Sequence, residues 1–376
     1  MDTKRKIGII YNYNNNWIAG VYYINSIIEV LKKNSHLFDV FIISNQKKID
    51  INGLPVIKLT IIDKIVNKLN IYFPFLAKMY TNSLGHRKIL KLLELDYIFP
   101  MMKHFYFEYL PDIKTISWIP DFQENYFHNF FSKKEIAFRI ISQVNAAYSN
   151  GKLVLSSQSA YNDFLRLYPR STCNVIIIPF VSFLCLEEES IVSFDSLIKK
   201  YNINDNYFIC SNQFWIHKNH MVLIEAVSIL KKESINVQVF LTGREYDFRD
   251  PEYTVMLKNK VHDLGIENNV LFLGFIPRNE QIGLMKHAKA VIQPSLFEGW
   301  NTTIEDAKYL GKEIIASDIP VHREQLNDLG VFFEPNSAYD LADKIKIIIS
   351  KPKEVIDYSY YQGYLDYQEK IISLFS

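Results

Sequence analysis

Apolar runs of strand length alternate along the chain with longer segments in which apolar residues recur at helical spacing. That alternation predicts parallel sheets joined by crossover helices. In the first half, strands are expected at residues 6–12, 38–44, 96–100, 114–119, 152–156 and 174–179. In the second half they are expected at 207–212, 237–242, 270–274, 290–293, 313–316 and 331–333. A stretch rich in Glu, Ser and Asp at 186–205 reads as a linker, and 353–376 carries Tyr, Leu and Ile at helical spacing without a strand. The expected organisation is α/β: one domain at 1–185, the linker at 186–205, a second domain at 206–352, and a closing helix at 353–376 that packs back on the first domain. A length of 376 residues fits two cores of ordinary size.

Composition changes this picture little: 48% of residues are hydrophobic and 22% charged, as in a globular chain with large cores. Charge changes it more. The net charge of +1 divides into +9 over residues 1–182 and −8 over 183–376. A basic half suits an anionic partner, either a phosphate-bearing substrate or an anionic membrane surface. No nucleic-acid-binding module is present in the sequence, so nucleic acid is not expected as a partner. Cys173, Cys185 and Cys210 are odd in number and lie in no CxxC spacing, which argues against a zinc site and a disulfide framework. With no secretory signal and no apolar stretch long enough to span a bilayer, the expected location is the cytoplasm.

Ligands of open α/β sheets lie beyond the carboxyl ends of the strands, so the loops that follow strands carry the candidate chemistry. After the apolar run at 290–293 comes PSLFEGWNTTIEDA (294–307), and Gly311 ends the helix that this loop begins. Thr302 and Glu305 have capping-box spacing, which gives Glu305 a structural task. Glu298 and Asp306 are then the acids free to meet a ligand, and the amides at 301–304 suit phosphate or sugar oxygens. Solvated acids favoured by the helix dipole are the plainer explanation of either one alone.

The whole string resembles the E-x7-E segment of retaining glycosyltransferases of family 4, and ASDIPVHREQ (316–325) resembles the strand and loop that follow it. The resemblance implies a GT-B fold, with two Rossmann-like domains facing across a cleft. It also implies a nucleotide diphosphate sugar as donor substrate, with no cofactor or metal, and retention of configuration. On the family's pattern Glu298 binds the donor sugar, Asp306 stands in place of the second Glu at the ribose, and Gly299, Trp300, Asn301 and Thr302 join the donor site. The implied acceptor is a saccharide or lipid-linked saccharide of bacterial surface polysaccharide. A nucleotide-sugar isomerase or a two-domain sugar-binding protein would share parts of this site.

The first strand of the second half ends in SNQFWIHKNH (211–220). Asn219 is placed to cap the helix that follows, and Lys218 stands at its N-terminus, where a cation is unfavourable unless an anion binds. The resemblance puts Lys218 on the lysine that binds the donor diphosphate and Gln213 on the position of the family's arginine. His217 and His220 are expected in loop and helix-surface roles. In LFLGFIP (271–277), the resemblance puts the base next to Phe275, whose plainer role is core.

In the first half, a single glycine, Gly20, follows the polar loop at 12–16 and is expected to admit donor and backbone to close approach. SWIPDFQ (117–123) resembles a motif of some family members. Its Asp121 either orients acceptor or donor or caps its own loop. His128, among aromatics, reads as packing. Residues 64–93 hold six Lys and Arg without an acid, interleaved with aromatics, a composition that suits an anionic bilayer face or equally a solvated basic surface.

Overall fold

A computed structural model of the chain describes residues 4–11, 17–44, 46, 51, 53–58, 95–101, 114–182, 192–203, 207–247 and 249–376. The loop at 12–16, the basic segment at 64–93, Cys185 and both ends of the expected linker lie outside the described residues. The chain forms two compact units, Met1–Val181 with Gln362–Ser376, and Ser182–Tyr361. Among the described residues no helix is long and apolar enough to cross a membrane.

Among the described residues, the first unit has seven strands: β1 (Arg5–Ile10), β2 (Phe38–Ser44), β3 (Val56–Lys58), β4 (Tyr97–Met101), β5 (Lys114–Ile119), β6 (Lys152–Leu155) and β7 (Asn174–Ile177). Their order is β3-β2-β1-β4-β5-β6-β7, and the pairs are parallel. Helices α1 (Ile18–Lys33), α2 (Lys133–Ala147) and α3 (Gln158–Leu167) belong to this unit. Ser132 and Glu135 close a reciprocal cap at the start of α2, and the Ser157 hydroxyl accepts from Ala160 N at 2.9 Å at the start of α3.

The second unit holds β8 (Tyr207–Ser211), β9 (Gln238–Thr242), β10 (Val270–Gly274), β11 (Val291–Gln293), β12 (Ile314–Ser317) and β13 (Val331–Phe333), in the parallel order β10-β9-β8-β11-β12-β13. Its helices are α4 (Phe194–Tyr201), α5 (His220–Lys232), α6 (Tyr253–Asp263), α7 (Arg278–His287), α8 (Thr302–Tyr309), α9 (Pro320–Leu326) and α10 (Ala338–Ser350). Strand β8 shows why both faces need helices: Phe208 and Cys210 join one buried cluster with α5, α6 and α10, while Tyr207 and Ile209 join another with α4, α7 and α8. An uninterrupted apolar strand is the signature of a sheet covered on both sides.

The strands lie where the apolar runs predict them, within two residues at either end, with the addition of β3, which at three residues is too short to show a period. The expected linker contains α4, which packs Leu197 into the core with Phe194 and Tyr201 beside it. Its charged residues had masked that apolar spacing.

Strand order reverses between β8 and β11, which pair directly, so two loops leave the sheet side by side at their carboxyl ends. Such a switch point is where open α/β sheets form a ligand crevice. Gly243, at the end of β9, lets the backbone close up there: its φ is +149°, and a Cβ would lie 1.9 Å from the Asn212 carbonyl oxygen.

The last helix, α11 (Tyr360–Phe375), supplies core to the first unit from residue 362 onward. The Tyr367 and Ser26 hydroxyls share a hydrogen bond of 2.6 Å, and Phe375 meets Tyr97, Phe99 and Phe38 edge-on at 5.9, 6.1 and 6.4 Å.

The Gly243→Ala substitution is expected to cost about 2–5 kcal/mol, since it adds backbone strain to a steric clash. Gly265→Ala, at φ +62° with open space around it, serves as the control, at about 1–2 kcal/mol. Urea denaturation of the two variants should rank them in that order.

Candidate functional site at the switch point

The loop after β8 runs through a short turn at Ile216–Lys218 into α5, and the loop after β11 runs from Pro294 to Asn301 and into α8. Because β8 and β11 are neighbours, these loops meet. Lys218 Nζ donates to Glu298 Oε1 at 2.6 Å, with the two side chains only 12% and 8% exposed. The cation at the start of α5 thus has a counter-ion within the fold. Burial makes that necessary, since either charge alone would be costly to desolvate.

Asn301 organises the second loop. Its Oδ1 accepts from Ile304 N at 3.0 Å and caps α8, while its Nδ2 donates to Glu298 Oε1 at 2.8 Å and to Gln293 Oε1 at 3.1 Å. Asn212 Nδ2 donates to the same Gln293 oxygen at 2.8 Å, joining the ends of β8 and β11. The expected capping box is therefore displaced: the helix starts one residue earlier than expected, Asn301 takes the cap, and Thr302 becomes its first residue. Glu305 instead accepts from Gln325 at 3.0 Å and from Lys308 at 3.1 Å, and burial raises its pKa. Gly311 does end α8, at φ +60°, with Lys312 N bonded to Ala307 O at 2.9 Å and its own N–H to Lys308 O at 3.0 Å.

Asp306 is not the free acid expected. It is 2% exposed, and its Oδ1 accepts from Arg278 Nη2 at 2.6 Å and from the Ser182 hydroxyl at 2.5 Å. Arg278 stands in the first turn of α7, another cation where the helix dipole disfavours one. The rule that singled out Lys218 would have found it. At both acids the hydrogen bonds described fall on one carboxylate oxygen, Glu298 Oε1 and Asp306 Oδ1, leaving Oε2 and Oδ2 as the second acceptors.

Gln213, Gly299, Trp300 and Thr302 are half-buried around these loops. Phe275 is 67% exposed rather than core, because Gly274, at φ +65°, turns the chain outward before it. Asn219 does not cap α5 through its side chain, which donates instead to Pro335 O at 2.9 Å.

The histidines also depart from expectation. His217 and His220 are buried, not on a surface, and His220 stacks flat on Phe214 at 4.6 Å. Burial lowers the His217 pKa well below its ordinary value and that of His220 to about 3. His322, in α9, lies with Nδ1 2.9 Å from Ser317 O, and burial takes its pKa to about 4 against the opposing pull of Glu298.

Gly20 and Asp121 belong to the first unit. A Cβ on Gly20 would lie 2.5 Å from the Trp17 ring, so this glycine makes room for Trp17, which stacks on Trp118 at 5.4 Å. Asp121 accepts from Gln123 N at 3.1 Å, the loop-capping alternative, and lies 3.7 Å from Arg139. His128 is exposed rather than packed.

Residues 193–362 match the family model for glycosyl transferases group 1. Over 163 residues the chain is 28% identical to the O-antigen chain mannosyltransferase RfbU of Salmonella typhimurium, covering 43% of this chain and 44% of RfbU. It is 23% identical over 165 residues to the capsular polysaccharide biosynthesis glycosyltransferase CapH of Staphylococcus aureus, covering 42% and 43%. The alignments span less than half of either relative. Among solved structures, a glycosyltransferase from Rickettsia africae superposes with a TM-score of 0.70 at 19% identity, over 99% of this chain and 94% of the other. Anabaena Alr3699/HepE in complex with UDP-glucose superposes with 0.69 at 17% identity, over 98% of each.

The fold is GT-B. Two Rossmann-like parallel-sheet domains compose it, as the alternation along the sequence implied, and the group 1 match falls on the second unit, which carries Lys218, Glu298 and Asp306.

The three buried histidines are neutral in the fold, whereas unfolded they would titrate at their ordinary value of 6.5. Unfolding therefore takes up protons below that pH, so their contribution to stability is complete above pH 6.5 and is lost as the pH falls toward the folded values. Replacing His322 with Asn should flatten the plot of unfolding free energy against pH by about 1.4 kcal/mol per unit near pH 5. An unchanged slope would show that His322 takes up its proton in the folded state.

Proposed function

We propose that the chain is a retaining glycosyltransferase that moves a hexose from a nucleotide diphosphate sugar to a saccharide or lipid-linked saccharide in surface polysaccharide synthesis. The observation that carries this reading is the meeting of Lys218 and Glu298 at the switch point: a cation for a diphosphate beside a carboxylate for sugar hydroxyls. The likeness of the second unit to group 1 glycosyl transferases, and to relatives named for O-antigen and capsular polysaccharide, supports it. So does the GT-B likeness to a protein solved with UDP-glucose.

In this reading the bond between the anomeric carbon and the diphosphate oxygen breaks as the acceptor oxygen bonds to the same face of that carbon. The acceptor proton passes to the departing phosphate. Lys218 leaves Glu298 for the phosphate oxygens and stabilises the charge that develops there, with helix amides in place of the arginine that Gln213 replaces. Glu298 accepts hydroxyls of the sugar, and Asp306 meets the ribose through Oδ2 while Arg278 holds Oδ1. Gly299, Trp300, Asn301 and Thr302 line the donor, and Phe275 adjoins the base.

Calorimetry with UDP, GDP and ADP should show binding of one of them, and the corresponding sugar nucleotide should be hydrolysed slowly without acceptor. Binding of none would sink the reading. Lys218→Ala should weaken nucleoside diphosphate binding about 10- to 100-fold, the loss of a charge-assisted hydrogen bond. Glu298→Gln should leave that affinity within about threefold while lowering transfer by about 100-fold or more. Anomeric proton couplings of the product should show the donor's configuration, and an inverted product would overturn retention.

A further inference from the structure

Gln325 is not among the residues that the sequence singles out, yet it makes three hydrogen bonds at the site. It lies in α9, is 3% exposed, and its side-chain amide faces the main chain of Asn301. Asn301 N donates to Gln325 Oε1 at 3.1 Å, and Gln325 Nε2 donates to Asn301 O at 3.1 Å. A primary amide thus pairs with one residue's backbone through both groups, as a neighbouring strand would. The same nitrogen donates to Glu305 Oε1 at 3.0 Å, so one side chain holds the helix cap and the first turn behind it.

What the clamp fixes is the path from backbone to acid. Once the Asn301 main chain is held, its Oδ1 is committed to Ile304 N, and its Nδ2 has only one direction in which to point. That direction is Glu298 Oε1 at 2.8 Å. Rotation of the carboxylate is then stopped from two sides, by Asn301 and by Lys218. When a diphosphate draws Lys218 away, Asn301 is the remaining described anchor.

We infer that Gln325 is a positioning residue of the donor site, which through Asn301 holds Glu298 in line for the sugar after Lys218 has turned to the diphosphate. This rests on the transferase reading above. It assigns to Gln325 an effect on sugar transfer that is separable from binding of the nucleotide.

The decisive variant is Gln325→Met, close in size and unable to make any of the three bonds. Nucleoside diphosphate affinity is expected within threefold of the parent protein, kcat at least tenfold lower, and protection of the Asn301 amide against hydrogen exchange reduced. Gln325→Glu supplies a second test. The introduced carboxyl reproduces the donor and acceptor pair only when protonated, so its kcat relative to the parent should rise as pH falls from 8 to 6.

A kcat within twofold of the parent in Gln325→Met would overturn the proposal, as would an equal loss of nucleotide affinity and kcat, the mark of a purely structural role. Undiminished protection of Asn301 would overturn the clamp even in the absence of turnover. A parent protein that binds no nucleoside diphosphate would instead count against the transferase reading, leaving the exchange measurement to decide the clamp.

Discussion

Everything at the candidate site depends on the contact between Lys218 and Glu298. Each charge is nearly buried, and neither would be tolerable alone at that depth. What makes the contact possible is topology: β8 and β11 are separated by 79 residues from the end of one to the start of the next, yet pair as neighbours, so their loops open onto the same ground. The surrounding amides add direction to attraction. Asn212, Gln293 and Asn301 form a chain of neutral groups that ties the strand ends together and turns the carboxylate toward the lysine.

Acids close together in this segment have different employment because of their partners, not their type. Glu305 is consumed by Lys308 and Gln325, and burial favours its neutral form. Glu298 and Asp306 are each gripped at one oxygen, by a cation and by a neutral donor. A carboxylate held in this way has a set orientation and a spare acceptor. The division of labour first read from helix-start rules survives for Glu305 as a structural acid, with a different partner from the one those rules supplied.

The sheets were legible in the sequence because a strand covered on both sides must be apolar throughout, and such runs stand out between amphipathic helices. Lys218 and Glu298 were legible because they follow such strands. The amide chain was not, for Asn212 and Gln293 look like ordinary polar residues ending a strand, and only the pairing of β8 with β11 joins them. Gln325 was hidden for a similar reason: its partner is a backbone, and a backbone contact leaves no complementary side chain to recognise. Gly20 carries a demand that its loop did not show: the space it leaves is filled by Trp17.

The last helix has a consequence for how the chain comes together. Ile371, Leu374 and Phe375 are buried in the first unit, although the rest of that unit ends at Val181. During synthesis from the N-terminus the first sheet must wait, with an apolar surface uncovered, while the ribosome makes the whole second unit. The second unit has no such debt: its strands and the helices on both faces lie within one continuous stretch, Ser182–Tyr361. The half made first is therefore the half completed last, and its exposed surface is the one that chaperones would meet on the nascent chain.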